Sequence, residues 1–159
     1  MVAPGPKFAN KTDVSPEKSR GEIERLVTKY GATKFVSGWE QAGAAVLFEM
    51  KGRRIRFSLP MPTPDDRVFK RDGAGRSRNA AQQRAAYEQA IRSSWRALVL
   101  VIKAKLEAVE SGITTFETEF LAHIVLPGGG TVGEWAVPQI AAAYENGVSL
   151  PPLLPGGQG

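Results

Sequence analysis

The spacing of apolar side chains changes from helical to alternating and back again, and those changes divide the chain into elements. Ile23, Leu26, Val27 and Tyr30 recur at helical spacing behind Ser15-Pro16, an N-cap followed by proline at the first helical position, and Gly31 supplies the stop. The period then shortens to two. Residues 33–39 are rich in aromatic and β-branched side chains, Gln41-Ala42-Gly43 gives a turn, and residues 44–50 continue the pattern. Lys51-Gly52 is a second tight connection into residues 53–59, which Pro60 ends. In this third strand Ile55, Phe57 and Leu59 alternate with Arg54, Arg56 and Ser58, so one face is apolar and the other cationic. Val46, Phe48 and Met50 give the core side of the second strand.

The longest periodic stretch is residues 79–111. Asn79 is an N-cap, Gly112 a stop, and no Gly or Pro intervenes. Tyr87, Ile91, Trp95, Leu98, Ile102, Leu106 and Val109 form one stripe, which should cover the apolar face of the sheet. The run Ala97-Leu98-Val99-Leu100-Val101-Ile102 is apolar all round and predicts cover on most of the helix circumference. At ~1.5 Å per residue this helix spans roughly 45–50 Å, longer than a compact chain of this size is wide, and its polar first turns are the end expected to project. Beyond Gly112, Thr114 and Glu117 have capping-box spacing ahead of Phe116, Phe120, Leu121 and Ile124, and Thr131 and Glu134 repeat it ahead of a helix ending near Asn146, with Gly147 as stop and Pro138 as a kink or division.

The predicted fold is therefore α+β: an N-terminal helix, a three-stranded antiparallel meander, one long central helix packed on the sheet, then short C-terminal helices. Residues 1–14 are expected as a mobile arm, 15–148 as a single domain, and 149–159 as an extended Pro/Gly-rich tail. Within the domain, residues 61–78 form a long loop broken by Pro62, Pro64, Gly73 and Gly75.

Charge sharpens this picture. Basic and acidic residues number 7 and 6 in residues 1–50, 14 and 4 in residues 51–105, and none and 6 in residues 106–159, so the middle third is strongly cationic. Such asymmetry points to a polyanion, or to basic and acidic portions that meet inside a fold or across a dimer. Lys51, Arg53, Arg54 and Arg56 could touch phosphates from the open sheet face, with Arg67, Lys70, Arg71, Arg76, Arg78 and Arg84 closing over a nucleic acid strand. An ordinary solvated face explains the same charges. Single-strand binding adds aromatic platforms, for which Phe35 and Trp39 are the candidates. Alternation puts both on one face. Whether that face joins the arginines or the core stays open, the core being the ordinary place for large aromatics.

Catalytic chemistry finds little support. The chain has no cysteine, which excludes disulfides, thiolate catalysis and cysteine-ligated zinc and fits a reducing cytoplasm. His123 is the single histidine; Glu119 lies four residues before it, Glu117 points elsewhere, and no third metal ligand is evident, so packing or a helix-terminal role is expected. Gly73-Ala74-Gly75-Arg76 and Gly128-Gly129-Gly130-Thr131 lack the context of nucleotide-binding loops. Ser93-Ser94 has no base nearby in sequence. No enzyme, cofactor or metal is expected, and no apolar run reaches membrane-spanning length.

Ser15-Pro16-Glu17-Lys18-Ser19-Arg20, Tyr30-Gly31-Ala32, Lys51-Gly52-Arg53, Trp95-Arg96-Ala97-Leu98 and Lys103-Ala104-Lys105-Leu106-Glu107-Ala108-Val109 resemble a family of small bacteriophage and prophage proteins. The likeness continues through Phe120-Leu121, Ile124-Val125-Leu126-Pro127 and Thr131-Val132-Gly133-Glu134. It carries over no catalytic or binding residue. What it implies is the cytoplasm of a bacterial host and a phage accessory role. The order helix, three strands, helix is also that of the double-stranded-RNA-binding domain, but the basic cluster opening that domain's second helix is not clearly reproduced and this second helix is much longer, so the likeness is one of topology.

The leading expectation is a non-enzymatic, backbone-directed and sequence-nonspecific nucleic-acid-binding accessory protein in phage replication, recombination or genome handling, with single-stranded DNA or RNA favoured. The alternative is a factor that binds and modulates a host protein machine, such as an anti-phage defence system, through the acidic C-terminal third and the tail carrying Leu153 and Leu154. A structural homodimer in which basic and acidic portions meet is the third.

Overall fold

The computed structural model describes residues 9–147. Expectations for the first eight residues of the arm and for the tail from residue 148 onward lie outside them.

The chain folds as α1 (Pro16–Lys29), β1 (Lys34–Glu40), β2 (Gly43–Met50), β3 (Arg53–Pro60), α2 (Ala80–Glu110), α3 (Phe116–Glu119) and α4 (Val132–Asn146). This is the predicted α+β order. Ser15 accepts the Lys18 N–H to cap α1, and the helix buries Ile23 and Val27. The three strands form an antiparallel sheet in sequence order. Lys51 and Gly52, with φ of 50° and 71°, make the two-residue turn whose twist matches the flanking strands. At the other turn Gly43 has φ 150°, and a Cβ there would stand 2.3 Å from the Leu59 carbonyl oxygen. Only glycine fits.

One sheet face carries Val46, Phe48, Ile55 and Phe57, all buried against Trp95, Leu98, Val99, Ile102 and Leu106 of α2 and Ile23 and Val27 of α1. This is the predicted core. The α2 N-terminus is fixed by a reciprocal capping box in which Asn79 receives the Gln82 N–H and the Gln82 side chain receives that of Asn79. Cover around the middle of α2 is less than the apolar run suggested. The sheet and α1 take two sides, while Leu100 and Val101 stay 40% and 45% exposed on the outward face.

Two boundaries differ from the sequence reading. Residues 9–14 of the arm are anchored: Ala9 is buried, and the Gln89 amide donates to the carbonyls of Asn10 and Thr12. The cap of α3 is Thr115, not Thr114: the Thr115 hydroxyl accepts the Thr118 N–H, and the Thr114 N–H, which a capping box with Glu117 would use, is bonded instead to the Ala108 carbonyl in closing α2.

Phe120 then turns into the core, meeting Phe48, Phe57 and Phe116 at ring-centroid distances of 6.1, 6.3 and 5.0 Å. Past the 3-10 turn Leu121–His123, Ile124 and Val125 add a short bridge to the outer edge of β3, with the Val125 N–H donating to the Arg54 carbonyl at 2.8 Å. Thr131 and Glu134 form the predicted capping box of α4, which runs through Pro138 to Asn146 and ends at Gly147 with φ 61°. Among the described residues no helix is long and apolar enough to cross a membrane.

Candidate nucleic-acid interface

The basic segment 61–78 is built, not irregular. The Asp66 carboxylate accepts the Thr63 N–H at 2.9 Å and leads into a 3-10 turn, Arg67–Phe69. Phe69 is buried edge-on against Tyr87, 5.8 Å between centroids, which ties the loop to the second and third turns of α2. A small antiparallel bridge, Arg71 to Ser77, and a bond from the Arg78 N–H to the Lys70 carbonyl at 2.9 Å then close a hairpin.

Asp72 organises its tip. Its carboxylate accepts the N–H groups of Ala74 and Arg76, each at 2.9 Å, and the Arg76 Nε at 2.8 Å. The Arg76 N–H is the largest influence holding this carboxyl below its ordinary value; the Arg76 side chain, the Ala74 N–H and the charge of Arg78 add to it, and a cost of desolvation opposes them. The Arg71 guanidinium is held in turn by the Gly75 carbonyl at 2.8 Å.

The consequence is a fixed cationic hairpin at one end of the domain. Among the described residues, no carboxylate forms an ion pair with Arg67, Lys70, Arg71 or Arg78. Arg76 is paired with Asp72 and Arg84 with Glu88. Between the hairpin and the first turns of α2, which hold no acidic residue at the N-terminal turn, lies an open groove of about 590 Å³ lined by Asp72, Arg76, Ser77, Arg78, Gln82 and two alanines.

The strand cations are disposed differently. Arg54 and Lys34 both reach Glu49, at 3.5 and 3.2 Å, Arg56 reaches Glu40 at 2.6 Å and Glu134 at 4.0 Å, and Arg53 reaches Glu117 at 3.0 Å. Lys51 stands over the Phe116 ring. On the open sheet face Lys34, Arg54 and Arg56 thus form a lattice of paired charges with Glu49, Glu40 and Glu134. Arg53, opposite Met50, and Lys51, over Phe116, lie toward the core side and not on the open face where the sequence reading put them. Position separates the two groups as well: Lys51 and Arg53 sit at the start of β3 beside α3, whereas the loop leaves β3 at its far end, roughly 25 Å away along an eight-residue strand. The hairpin and the β2–β3 turn therefore lie at opposite ends of β3.

Register answers the question left open for the aromatics. Phe35 lies opposite Phe48 and Trp39 opposite Ala44, so both are on the core face and not among the arginines. Phe35 packs on the core, while Trp39, at the edge of the sheet, is 66% exposed. His123 is a packing residue: its ring stacks on Phe57 at 4.0 Å, and burial, helped by the Lys105 charge, lowers its pKa against the pull of the Arg56 backbone. Among the described residues no group of three or more His, Asp or Glu side chains could hold a metal ion.

Residues the sequence reading passed over are Asp72 and the Phe69–Tyr87 pair. Asp72-Gly73-Ala74-Gly75 carries the chemistry of an Asx turn, which is a signal for an ordered tip. Compared with known proteins, the chain matches no family model, no curated protein and no solved structure.

Proposed function

We propose that this is a non-enzymatic nucleic-acid-binding protein that recognises the phosphate backbone through the hairpin of residues 67–78 and the first turns of α2. The observation that supports it most is the set Arg67, Lys70, Arg71 and Arg78, carried on a backbone fixed by hydrogen bonds and forming no ion pair among the described residues. Cations already paired in a protein must break those pairs to meet phosphate; unpaired ones release counterions at no such cost. The aromatic of the hairpin, Phe69, is buried, so base stacking is not part of recognition here and sequence selectivity is low. The resemblance of its sequence motifs to phage and prophage proteins supports extending the proposal to replication, recombination or genome handling in the cytoplasm of a bacterial host.

The test is a fluorescence-anisotropy panel of single-stranded and duplex DNA and RNA. Alanine at Arg67, Lys70, Arg71 and Arg78 together should abolish binding, and alanine at Arg54 and Arg56 should leave most of it. The reverse ranking would move the interface to the sheet.

A host-protein partner has one observation of its own. Val137, Ile140 and Tyr144 recur at three- and four-residue spacing along α4, and all three are exposed, Tyr144 by 88%. No residue of α4 is buried. A helix with such a stripe is suited to a groove in another protein. Binding of that kind would survive high salt and loss of the hairpin cations, and would fail in Val137→Asp.

A further inference from the structure

The two edges of the sheet are treated differently. The outer edge of β3 is covered by Ile124 and Val125, whereas no described residue pairs with the outer edge of β1. That edge is regular: seven consecutive residues pair with β2 without a bulge, and none is proline. An open, regular edge of this length is a template for another strand unless charge or shape opposes it.

The sequence of β1 matches itself in reverse. If a second copy approached antiparallel with the two-fold axis through Ser37, Lys34 would face Glu40 of the other copy, Phe35 would face Trp39, Val36 would face Gly38, and each relation would occur twice. The faces agree too. Lys34, Val36, Gly38 and Glu40 lie on the open face, and Phe35, Ser37 and Trp39 on the core face. On the open face the ion pairs Arg54–Glu49–Lys34 of one copy would run on into Glu40–Arg56 of the other, alternating in sign. On the core face the two largest side chains of β1 would cover each other across the joint, including Trp39, otherwise mostly in water. Val36, 61% exposed, would lie over Gly38, where a side chain has open space.

We infer that the outer edge of β1 is a homodimer interface that joins two sheets into one of six strands. This does not rest on the nucleic-acid proposal, since the hairpin and the β1 edge share no residue. The dimer would carry two cationic hairpins, one toward each end of the joined sheet.

Charge complementation provides the test. Sedimentation of the wild type over a wide concentration range should show the mass rising from 17.2 kDa toward double. Lys34→Glu and Glu40→Lys each place two like-charge pairs across the axis and should stay monomeric alone, whereas an equimolar mixture of the two restores both opposite-charge pairs and should dimerise. That recovery cannot come from local damage to either variant. The chain has no cysteine, so Ser37→Cys adds a single thiol. Opposed Cα atoms about 4.5–5.5 Å apart meet disulfide geometry, and mild oxidation should cross-link Ser37→Cys far faster than Ser58→Cys on β3. A wild type that stays monomeric at every concentration would overturn the interface and leave the edge to a strand from another protein. So would single charge variants that self-associate like wild type, a mixture that does not dimerise, or cross-linking at Ser37 no faster than at Ser58.

Discussion

Replacing Phe120 by alanine should be among the most damaging single changes in the chain. The side chain is fully buried and sits where the C-terminal segment meets the sheet, edge-on to both Phe48 and Phe57, close to Phe116 and under the Lys105 ammonium. Truncation of a buried Phe costs about 3–5 kcal/mol through lost transfer energy and the cavity left behind. Aromatic pairs of this geometry add about 0.5–1.5 kcal/mol each beyond area, so the upper end, about 5 kcal/mol, is expected. Against a domain stability of about 5–15 kcal/mol that is a large fraction. Urea unfolding followed by tryptophan fluorescence measures it, with Leu121→Ala as the comparison. Leu121 is the next residue and half exposed, and its loss should cost no more than about 1 kcal/mol. Similar costs at the two positions would refute the placement of Phe120 as the joint between the C-terminal segment and the sheet.

Other consequences are equally open to measurement. A Cβ at Gly133 would lie 2.9 Å from the Ala122 carbonyl oxygen, so Gly133→Ala should lift α4 from the turn it rests on and speed proteolysis within α4, while the melting of the remaining domain changes little; unchanged cleavage would contradict that seating. The Ser19 hydroxyl is buried without a partner among the described residues, so Ser19→Ala should stabilise the protein by about 1 kcal/mol, and a loss in thermal unfolding would show that it holds a hydrogen bond. For His123 the folded pKa lies below the ordinary 6.5, so the folded state binds fewer protons than the unfolded state just below that pH. Its contribution is complete above 6.5 and declines as pH falls toward the lowered value; His123→Gln should flatten that part of the stability profile, and an unaltered slope would assign it to another group.

Much of the fold was legible because each element carries its own stop and start chemistry. Ser15-Pro16, Lys51-Gly52, Asn79, Gly112 and the Thr131/Glu134 pair all mark boundaries that the structure keeps. Where the reading failed, the deciding contact was distant in sequence. Gln89 anchors residues 10 and 12 from 77 to 79 positions away, and nothing near the arm announces it. The box read at Thr114 and Glu117 does not form, because the Thr114 N–H it needs is bonded to the Ala108 carbonyl in closing α2, a competition between neighbouring elements that a motif match does not weigh.

For the candidate site the limit was pairing. The alternation of Arg54 and Arg56 with Ile55 and Phe57 located the cationic face correctly, but Glu49 and Glu40 come from other strands and meet those arginines only through the register. A count of basic residues therefore does not separate the paired cations of the sheet from the unpaired ones of the hairpin. Trp39 is the converse case: period two gives its face relative to Phe35, yet its exposure follows from β1 being an edge strand, which is a property of the whole sheet.

The salt dependence of duplex DNA binding tests the proposed interface most directly. Each phosphate neutralised contributes about −0.9 to the slope of log affinity against log salt, so four hairpin cations would supply a slope of about −3.6, or roughly a hundredfold weakening for a fourfold rise in salt. Stepwise alanine replacement of Arg67, Lys70, Arg71 and Arg78 should flatten the slope by about one unit at each step, with the helical circular dichroism unchanged. A wild-type slope near zero, or one that the four replacements leave as it was, would contradict a phosphate-binding hairpin.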